Sequence, residues 1–421
     1  MKQAVIIALA GTLGAAAVVP TASALPVFSR QTGMACNACH FNHVPLLNGF
    51  GRSFKSAAYT LMGVQGRVEG EHLSIPDTVN LGILASAGYE KVQGSRGAWS
   101  VPSSGGELSI FYGGRITDNM GFLSELGTAD ASAATGAAKL LWMPEIMPGT
   151  KLGLVFDTNN GQGVAHGFEL LNTGAANVHK IAVGQTHVNV YSAAQWLGTN
   201  NATTGVSLVG ANDLGFVNFS AYDAAPQSLA KGATNMPLHY ARLAATFDAA
   251  GFDTGVGMQR WYGNTDAVQF DTVQTAILPG TYDATVFDVQ VQGDLSGMST
   301  GIYASYGVAP INSLFGQGVT PDAVAAPIAG NAYKAKTLNV GVDMEVAHAL
   351  IARAAMRRAT NGADGLSDNA VMVGVIYEYA QNVELHITRT NNSGDHYDAA
   401  KGGVAAGTGK ATTSILAEML F

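Results

Sequence analysis

The stretch VMVGVIYEYAQNVELHIT, residues 371–388, carries the pattern that decides the fold. Beyond a short turn at residues 381–382, Glu384, His386 and Thr388 alternate with apolar residues. Period-two alternation of this length is typical of β-strands with one apolar face, and the turn between the two runs predicts a hairpin. In the first run every second residue is apolar or aromatic: Val371, Val373, Val375, Tyr377 and Tyr379.

The same alternation recurs along residues 78–421, between short stretches rich in Gly, Asn, Asp and Ser. TLNVGVDMEV (337–346) alternates in this way, and ELSIFYGGRITDNMGFLSELG (107–127) reads as two strands around a turn at 117–119. Membrane strands of about 9–11 residues with their connections would give about 16–17 strands, and single-chain bacterial barrels usually have an even number. The pattern therefore predicts an all-β transmembrane barrel of about 16 antiparallel strands.

Composition favours a membrane barrel over a soluble β-sandwich, which is the alternative fold with this period. Charged residues make up 12% of the chain, and 52 of its 421 residues are glycine. A sandwich would need a charged outer face, whereas the regular face here is apolar. The chain ends on Phe421 after an alternating segment, which resembles the last strand of outer-membrane barrels. The formal net charge of −8 argues against a nucleic-acid partner, which would require basic patches.

Residues 1–24 have the features of a secretory signal peptide. Lys2 gives a positive start, residues 4–20 are apolar, and Ala-Ser-Ala at 22–24 satisfies the small-residue cleavage rule. The apolar stretch is shorter than the ~20 residues of a membrane-spanning helix. We expect the mature chain to begin at Leu25 and to reside in the bacterial outer membrane, in contact with its lipid.

Both cysteines of the chain lie in one short motif, CNACH at residues 36–40. C-x-x-C-H is the attachment signature of c-type haem, in which two thioethers fix the haem edge and the following histidine ligates the iron. Export supports this interpretation, because c-type haem is attached after export. A thioredoxin-like redox pair and half a zinc site are the alternatives, but a βαβ context and a second ligand pair are lacking. The motif predicts one haem c on Cys36 and Cys39, with His40 as the proximal ligand.

The segment around the motif predicts a small α-helical cytochrome domain over residues 25–63, followed by a polar linker at 64–77. Arg52 and Lys55 are candidates to pair with haem propionates, and a solvated helix face is the alternative. Apolar residues recur in this segment at helical spacing: Leu46, Leu47, Phe50, Phe54, Ala57 and Ala58.

The sequence leaves open which residue binds the iron opposite His40. Met62 is favoured, because it follows the apolar segment and can fold back over the iron. A Met/His pair would raise the reduction potential. His43 lies too close to the motif to reach the opposite haem face easily. The alternatives are His72, His43, Met34 and an open site.

Residues 25–63 (LPVFSRQTGMACNACH…PLLNGFGRSFKSAAYTLMG) resemble the N-terminal signature of the fused outer-membrane monohaem cytochrome–porins, the Fe(II) oxidases of iron-oxidising bacteria. FNH at 41–43 and the SAA at 56–58 depart from that pattern and indicate a divergent branch. The shared elements are an aromatic-x-Arg-Gln-Thr-Gly run at 28–33, Pro-x-Leu at 45–47, Gly-Arg-x-Phe-Lys at 51–55 and Tyr-Thr at 59–60.

This resemblance implies that the haem domain lies in or at the barrel lumen and takes electrons from extracellular Fe(II) or another reduced metal. A periplasmic c-type cytochrome would receive the electrons, so the activity would be that of an oxidoreductase acting by electron transfer. A single haem cannot bridge a hydrocarbon layer ~30 Å thick, so a conduit requires the barrel to carry the haem into the membrane. A different donor or acceptor and a haem-plugged porin are the alternatives.

Overall fold

The fold is known from a computed structural model. The expected signal peptide, residues 1–24, lies outside the described part of the chain. Four α-helices occur in the described residues, and none of them is long and apolar enough to cross a membrane. They are α1 (Pro26–Thr32), α2 (Gly49–Ser56), α3 (Gln185–Tyr191) and α4 (Ala193–Leu197). The structure describes residues 26–72, 74–101, 108–130, 133–174, 179, 181–182, 184–224, 236–265, 280–316, 330–380, 382–407 and 409–421.

A closed antiparallel β-barrel forms most of the described chain. The strands are β1 (Arg67–Glu69), β2 (Ser74–Pro76), β3 (Leu81–Val92), β4 (Ala98–Ser100), β5 (Leu108–Thr117), β6 (Met120–Asp130), β7 (Ala133–Trp142), β8 (Glu145–Met147), β9 (Thr150–Asn160), β10 (Ala202–Asn212), β11 (Gly215–Asp223), β12 (Leu238–Ala249), β13 (Phe252–Thr265), β14 (Gly280–Leu295), β15 (Met298–Ala309), β16 (Ala335–Ala347), β17 (Leu350–Thr360), β18 (Asn369–Ala380), β19 (Val383–Ser393) and β20 (Ala411–Leu420). Sixteen long strands, β3, β5–β7 and β9–β20, form the wall, which closes where β20 pairs with β3. The predicted strand number is confirmed. The short β1 and β2 make a separate hairpin within the segment predicted as a linker.

The two faces of the wall alternate as the sequence predicts, with apolar side chains outward. Val371 and Ile387 are 54% and 49% exposed, whereas their polar neighbours Glu384 and His386 are buried. Outward aromatic residues such as Phe287 are similarly exposed on other strands. Exposed apolar and buried polar side chains are the inverse of a soluble protein's arrangement. They match a barrel whose outer surface faces lipid.

The two ends of the barrel differ in their connections. At one end tight turns join the strands, whereas longer segments such as residues 161–201 join them at the other end. In outer-membrane barrels the short turns face the periplasm and the long loops face outside. We therefore assign the short-turn end of this barrel to the periplasm. The tight turns are at residues 118–119, 213–214, 250–251, 296–297 and 348–349.

Residues 26–63, which we call the plug, are bound inside the short-turn end of the barrel. Arg52 donates from Nη2 to both carboxylate oxygens of Asp253, near the start of β13, at 2.7 Å. His43 Nε2 lies 3.3 Å from Oδ2 of Asp343 on β16. These contacts join the plug to distant strands of the wall and fix its position in the lumen.

Residues 161–201, which we call the inner loop, connect β9 to β10, and the described ones (161–174, 179, 181–182 and 184–201) fold back into the lumen. Helix α3 packs against β16–β19, and α4 packs against β14–β16. Trp196 of α4 donates from Nε1 to Asp368 at 3.1 Å. The inner loop meets the plug where Leu47 and Asn172 exchange two hydrogen bonds, of 2.8 and 3.0 Å. Plug and inner loop therefore enter the lumen from opposite ends and touch each other.

Candidate functional site

The motif at residues 36–40 forms one tight turn. The backbone N–H groups of Cys39 and His40 both donate to the carbonyl oxygen of Cys36, at 3.0 and 2.9 Å. Cys36 is 2% exposed and packs among apolar side chains of the plug and the wall, whereas Cys39 is partly exposed. Both thiols are free, and burial raises the pKa of each above its ordinary value. The turn places two thiols and one imidazole together, as a covalent haem tether requires.

A hydrogen bond to the carbonyl oxygen of Leu46 orients the imidazole of His40. Its Nδ1 lies 3.0 Å from the carbonyl oxygen of Leu46, which can only accept, so Nδ1 carries the proton. Nε2 is then the nitrogen with the lone pair. Burial lowers the pKa of His40 to about 4, so the ring is neutral near pH 7. A neutral imidazole anchored in this way is the form that a metal-ligating histidine takes.

Helix α2 lies directly on the motif. The side chain of Asn48 caps the helix by accepting a hydrogen bond of 2.9 Å from the N–H of Gly51. A Cβ at Gly51 would lie 2.1 Å from the carbonyl oxygen of Cys39, so only glycine permits this contact. Phe54 is buried, but Phe50 is 42% exposed. The apolar stripe expected along this segment therefore holds only in part.

A cavity lies between the plug, the barrel wall and the inner loop, and both Cys39 and His40 line it. It contains about 1060 Å³ of space not filled by atoms, part of it open to solvent. The volume comparable with that of ligand pockets, which usually measure ~300–1,000 Å³, is about 160 Å³, so a haem would fit only if side chains that line the cavity moved apart. On the plug side its wall is aromatic, because Phe28 stacks on Tyr59 with ring centroids 4.6 Å apart.

Two histidines of the inner loop, His166 and His179, line the same cavity. Nδ1 of His179 lies 3.3 Å from the carbonyl oxygen of Leu171, and its Nε2 lies 2.9 Å from Nζ of Lys55. Nδ1 of His166 lies 2.5 Å from a carboxylate oxygen of Asp157. Burial lowers the pKa of both rings, and nearby lysine charges lower it further. Both are therefore neutral imidazoles with a protonated Nδ1, as His40 is.

Two buried lysines, Lys55 of the plug and Lys139 of β7, also line the cavity. Lys139 donates from Nζ to the carbonyl oxygen of His166 at 2.8 Å. Burial lowers the pKa of Lys55 well below its ordinary value, and the charge of Lys139 lowers it further. Two amines in one cavity favour an anionic group between them, such as a haem propionate. The sequence suggested this role for Lys55, but nothing in the pattern of β7 marked Lys139.

The other sequence candidates lie apart from the cavity lining. The guanidinium of Arg52 binds Asp253, so its pairing with a propionate stays a prediction. Met62 is half-buried and is not among the described residues that line the cavity, so its role as an iron ligand also stays a prediction. His72 has an exposed side chain, with Nε2 3.8 Å from a carboxylate oxygen of Glu71.

Both ring nitrogens of His43 already have partners. Its Nδ1 lies 2.9 Å from the carbonyl oxygen of Val44, and its Nε2 lies 3.3 Å from Asp343. His43 therefore ties the plug to β16 in this structure. Met34, the remaining candidate, is exposed. The histidines that do line the cavity, His166 and His179, come from the inner loop and were not among the candidates.

The closed wall, its apolar outer face and the contrast between its ends define a porin-like β-barrel of the outer membrane. Solved structures that resemble the chain agree with this class. OmpT of Vibrio cholerae is 12% identical over 85% of this chain and 100% of its own, with a TM-score of 0.50. A loop L8 deletion mutant of OmpT is 12% identical over 82% of this chain and 99% of its own, also with a TM-score of 0.50.

An anion-selective porin from Comamonas acidovorans is 10% identical, over 82% of this chain and 99% of its own, with a TM-score of 0.47. No protein-family model and no curated protein matches the chain. At such identities the likeness to solved structures shows the fold alone. The function has to be argued from the site.

Proposed function

We propose that this chain is an outer-membrane electron-transfer protein that binds one haem c and takes electrons from extracellular Fe(II). A periplasmic c-type cytochrome receives the electrons. The observation that carries the proposal is one cavity whose lining combines two residues of the motif, the neutral imidazoles of two inner-loop histidines and the amines of two lysines. These residues are Cys39, His40, His166, His179, Lys55 and Lys139. The resemblance of residues 25–63 to cytochrome–porins supports the choice of Fe(II).

The residues around the cavity fit a haem c. Cys36 and Cys39 supply the two sulfur atoms of the tether, and His40 presents Nε2 as a ligand. The aromatic wall excludes water from one side, while Lys55 and Lys139 can hold the propionates. When bound, the haem supplies a centre that accepts and releases one electron at a time.

The barrel gives such a centre access to both sides of the membrane. The plug occupies the short-turn end, and the inner loop extends into the lumen from the other end. A cavity between them lies inside the barrel wall, where a haem would be nearer to both sides of the ~30 Å hydrocarbon layer than a haem outside the membrane. Each Fe(II) ion loses one electron and leaves as Fe(III), so the reaction requires no nucleophile and no proton transfer.

Fe(II) is expected to reduce the haem of the purified protein in lipid vesicles. The measurement is the absorbance of the reduced haem band after anaerobic addition of Fe(II), with dithionite defining full reduction. Reoxidation by a soluble Fe(III) chelate tests the direction of electron flow. A haem that dithionite reduces and Fe(II) does not would rule out Fe(II) as the donor.

We further propose that the ligand opposite His40 is His179 rather than Met62. His179 and His40 both line the cavity, and His179 could bind iron if its Nε2 exchanged the 2.9 Å contact with Nζ of Lys55 for the metal. The variant His179→Ala should lose the low-spin absorption and EPR spectrum of a six-coordinate haem. His179→Met should instead raise the reduction potential, because methionine ligation favours the ferrous state.

Two other variants decide between the candidate ligands. Met62→Leu keeps the size of the side chain and should leave the haem spectrum unchanged. His166→Ala should also keep the low-spin spectrum, although loss of its contact with Asp157 can shift the potential. If either variant loses the low-spin spectrum while His179→Ala retains it, the assignment of His179 is wrong.

Transport through the lumen is the second candidate function, and the porin-like fold is the observation that favours it. Buried apolar clusters of the inner loop, around Trp196 and Phe168, occupy the described part of the lumen and oppose an open pore. Single-channel conductance of the protein with and without haem separates the two functions. A large conductance that does not depend on haem would favour transport.

A further inference from the structure

Three glutamates lie side by side on neighbouring strands near the plug. The sheet register places Glu378 of β18 opposite Glu384 of β19, and Glu384 opposite Glu418 of β20. His386 lies two residues beyond Glu384, on the same face of β19. Glu384, His386 and Glu418 are each more than nine-tenths buried, and one ligand atom from each lies within 4.8 Å of the other two.

Like charges directly opposite each other on neighbouring strands destabilise a sheet, and a buried carboxylate is normally paired, protonated or bound to a metal. A bound cation would offset the cost of burying these carboxylates side by side. Nε2 of His386 lies 3.1 Å from Oε2 of Glu384, but its Nδ1 is buried without a hydrogen-bond partner in the described structure. The guanidinium of nearby Arg353 binds Asp343 at 2.9 Å.

We propose that Glu384, His386 and Glu418 form a binding site for one divalent transition-metal ion. Carboxylate oxygens and an imidazole nitrogen together suit first-row ions such as Mn(II) and Fe(II). The cluster lies at the short-turn end, which we assign to the periplasm, so we do not identify it with the entry point of extracellular Fe(II). The existence of the site rests on the geometry of the three side chains.

The metal site adjoins the haem cavity. Glu418 lines that cavity together with His40 and Val44. A divalent ion held by Glu384 and Glu418 is therefore next to the cavity.

The test uses the full-length, haem-loaded protein in lipid vesicles, with Mn(II) as the probe. Free Mn(II) gives an EPR signal that is lost on binding, so a titration counts the bound ions. Wild type should bind one equivalent saturably, and the double variant Glu384→Gln/Glu418→Gln should bind none. His386→Gln should weaken binding at least ~10-fold, since even partners outside the ligand set contribute 10- to 100-fold.

Glu345→Gln is the matched control. It removes one carboxylate from the same end of the barrel, on β16, outside the cluster, and should bind Mn(II) as wild type does. Heat-modifiable migration on gels reports whether each variant has folded. If the double variant does not fold, the single variant Glu418→Gln takes its place.

The outcomes separate the metal site from the proposed function. No saturable Mn(II) binding by folded wild type would overturn the site and leave a protonated His386 as the link between the glutamates. Equal binding by wild type and the double variant would also overturn it. If the double variant binds no Mn(II) and Fe(II) still reduces its haem at the wild-type rate, the metal site stands and is separate from the donor site. If wild type binds Mn(II) but Fe(II) does not reduce its haem, the proposed function fails and the metal site stands.

Discussion

A chain in which Cys36 and Cys39 are both replaced by serine is expected to carry no covalently bound haem while its barrel still forms. Serine is close in size to cysteine but supplies no sulfur for a thioether. The wall closes through strand pairs from β3 to β20, none of which includes the motif. Haem staining after denaturing electrophoresis measures the tether, and heat-modifiable migration measures the barrel.

Ala38→Ser is the matched control for this experiment. It introduces one serine between the cysteines and leaves the C-x-x-C-H spacing intact, so haem attachment should remain at the wild-type level. Covalent haem in the double-cysteine variant would contradict the prediction. A folded wild-type protein that takes up no haem in a host able to mature c-type cytochromes would contradict the haem assignment itself.

The second large effect is expected from Arg242→Met, which removes a buried cation from between two carboxylates. Arg242 on β12 donates to both oxygens of Asp288 on β14, at 2.5 and 2.9 Å, and its Nη2 lies 3.3 Å from Glu169 of the inner loop. The side chains of all three ion-pair partners are fully buried. Breaking a buried ion pair from one side costs about 3–5 kcal/mol, because the remaining charges stay uncompensated. Urea titration of the protein in vesicles measures the free energy of unfolding.

Arg260→Met supplies the comparison, because Arg260 pairs with Asp283 across neighbouring strands but is partly exposed. Exposed pairs contribute about 0.2–1 kcal/mol, so this variant should unfold almost as wild type does. Adding Glu169→Gln and Asp288→Asn to Arg242→Met should recover part of the lost stability, since both stranded charges are then removed. Equal effects of Arg242→Met and Arg260→Met would contradict the assigned role of the buried triad.

Loss of the triad should also change the lumen. Glu169 attaches the inner loop to the wall, and the backbone N–H groups of Leu170 and Leu171 next to it donate to its carboxylate. Without Arg242 this anchor becomes a repulsive contact with Asp288, so the inner loop should loosen. A higher single-channel conductance of Arg242→Met than of Arg260→Met would show the loosening directly.

Much of the fold of this protein could be predicted from patterns among residues that are close together in the sequence. A strand's side chains alternate between its two faces whatever the strand pairs with, so stretches such as residues 371–388 determined the apolar outer face and the approximate strand number. The predicted hairpin within residues 107–127 is present as β5 and β6 for the same reason. Cys36, Cys39 and His40 likewise share one tight turn, because the backbone N–H groups of Cys39 and His40 both donate to the nearby carbonyl oxygen of Cys36.

Partners that lie far apart in the chain could not be predicted, because only closure of the barrel brings them together. His179 meets Lys55 of the plug, Lys139 reaches the cavity from β7, and Arg52 pairs with the wall rather than with solvent. Glu384 lies opposite Glu418 because of the register in which β19 pairs with β20. Alternation in the sequence shows which face each side chain is on, but it does not show which residues of two neighbouring strands lie opposite each other. The sequence by itself thus determined a porin-like barrel and the C-x-x-C-H motif from which a haem tether is predicted. The tertiary structure decided which side chains surround that motif, since burial inside the lumen is a property of the closed wall.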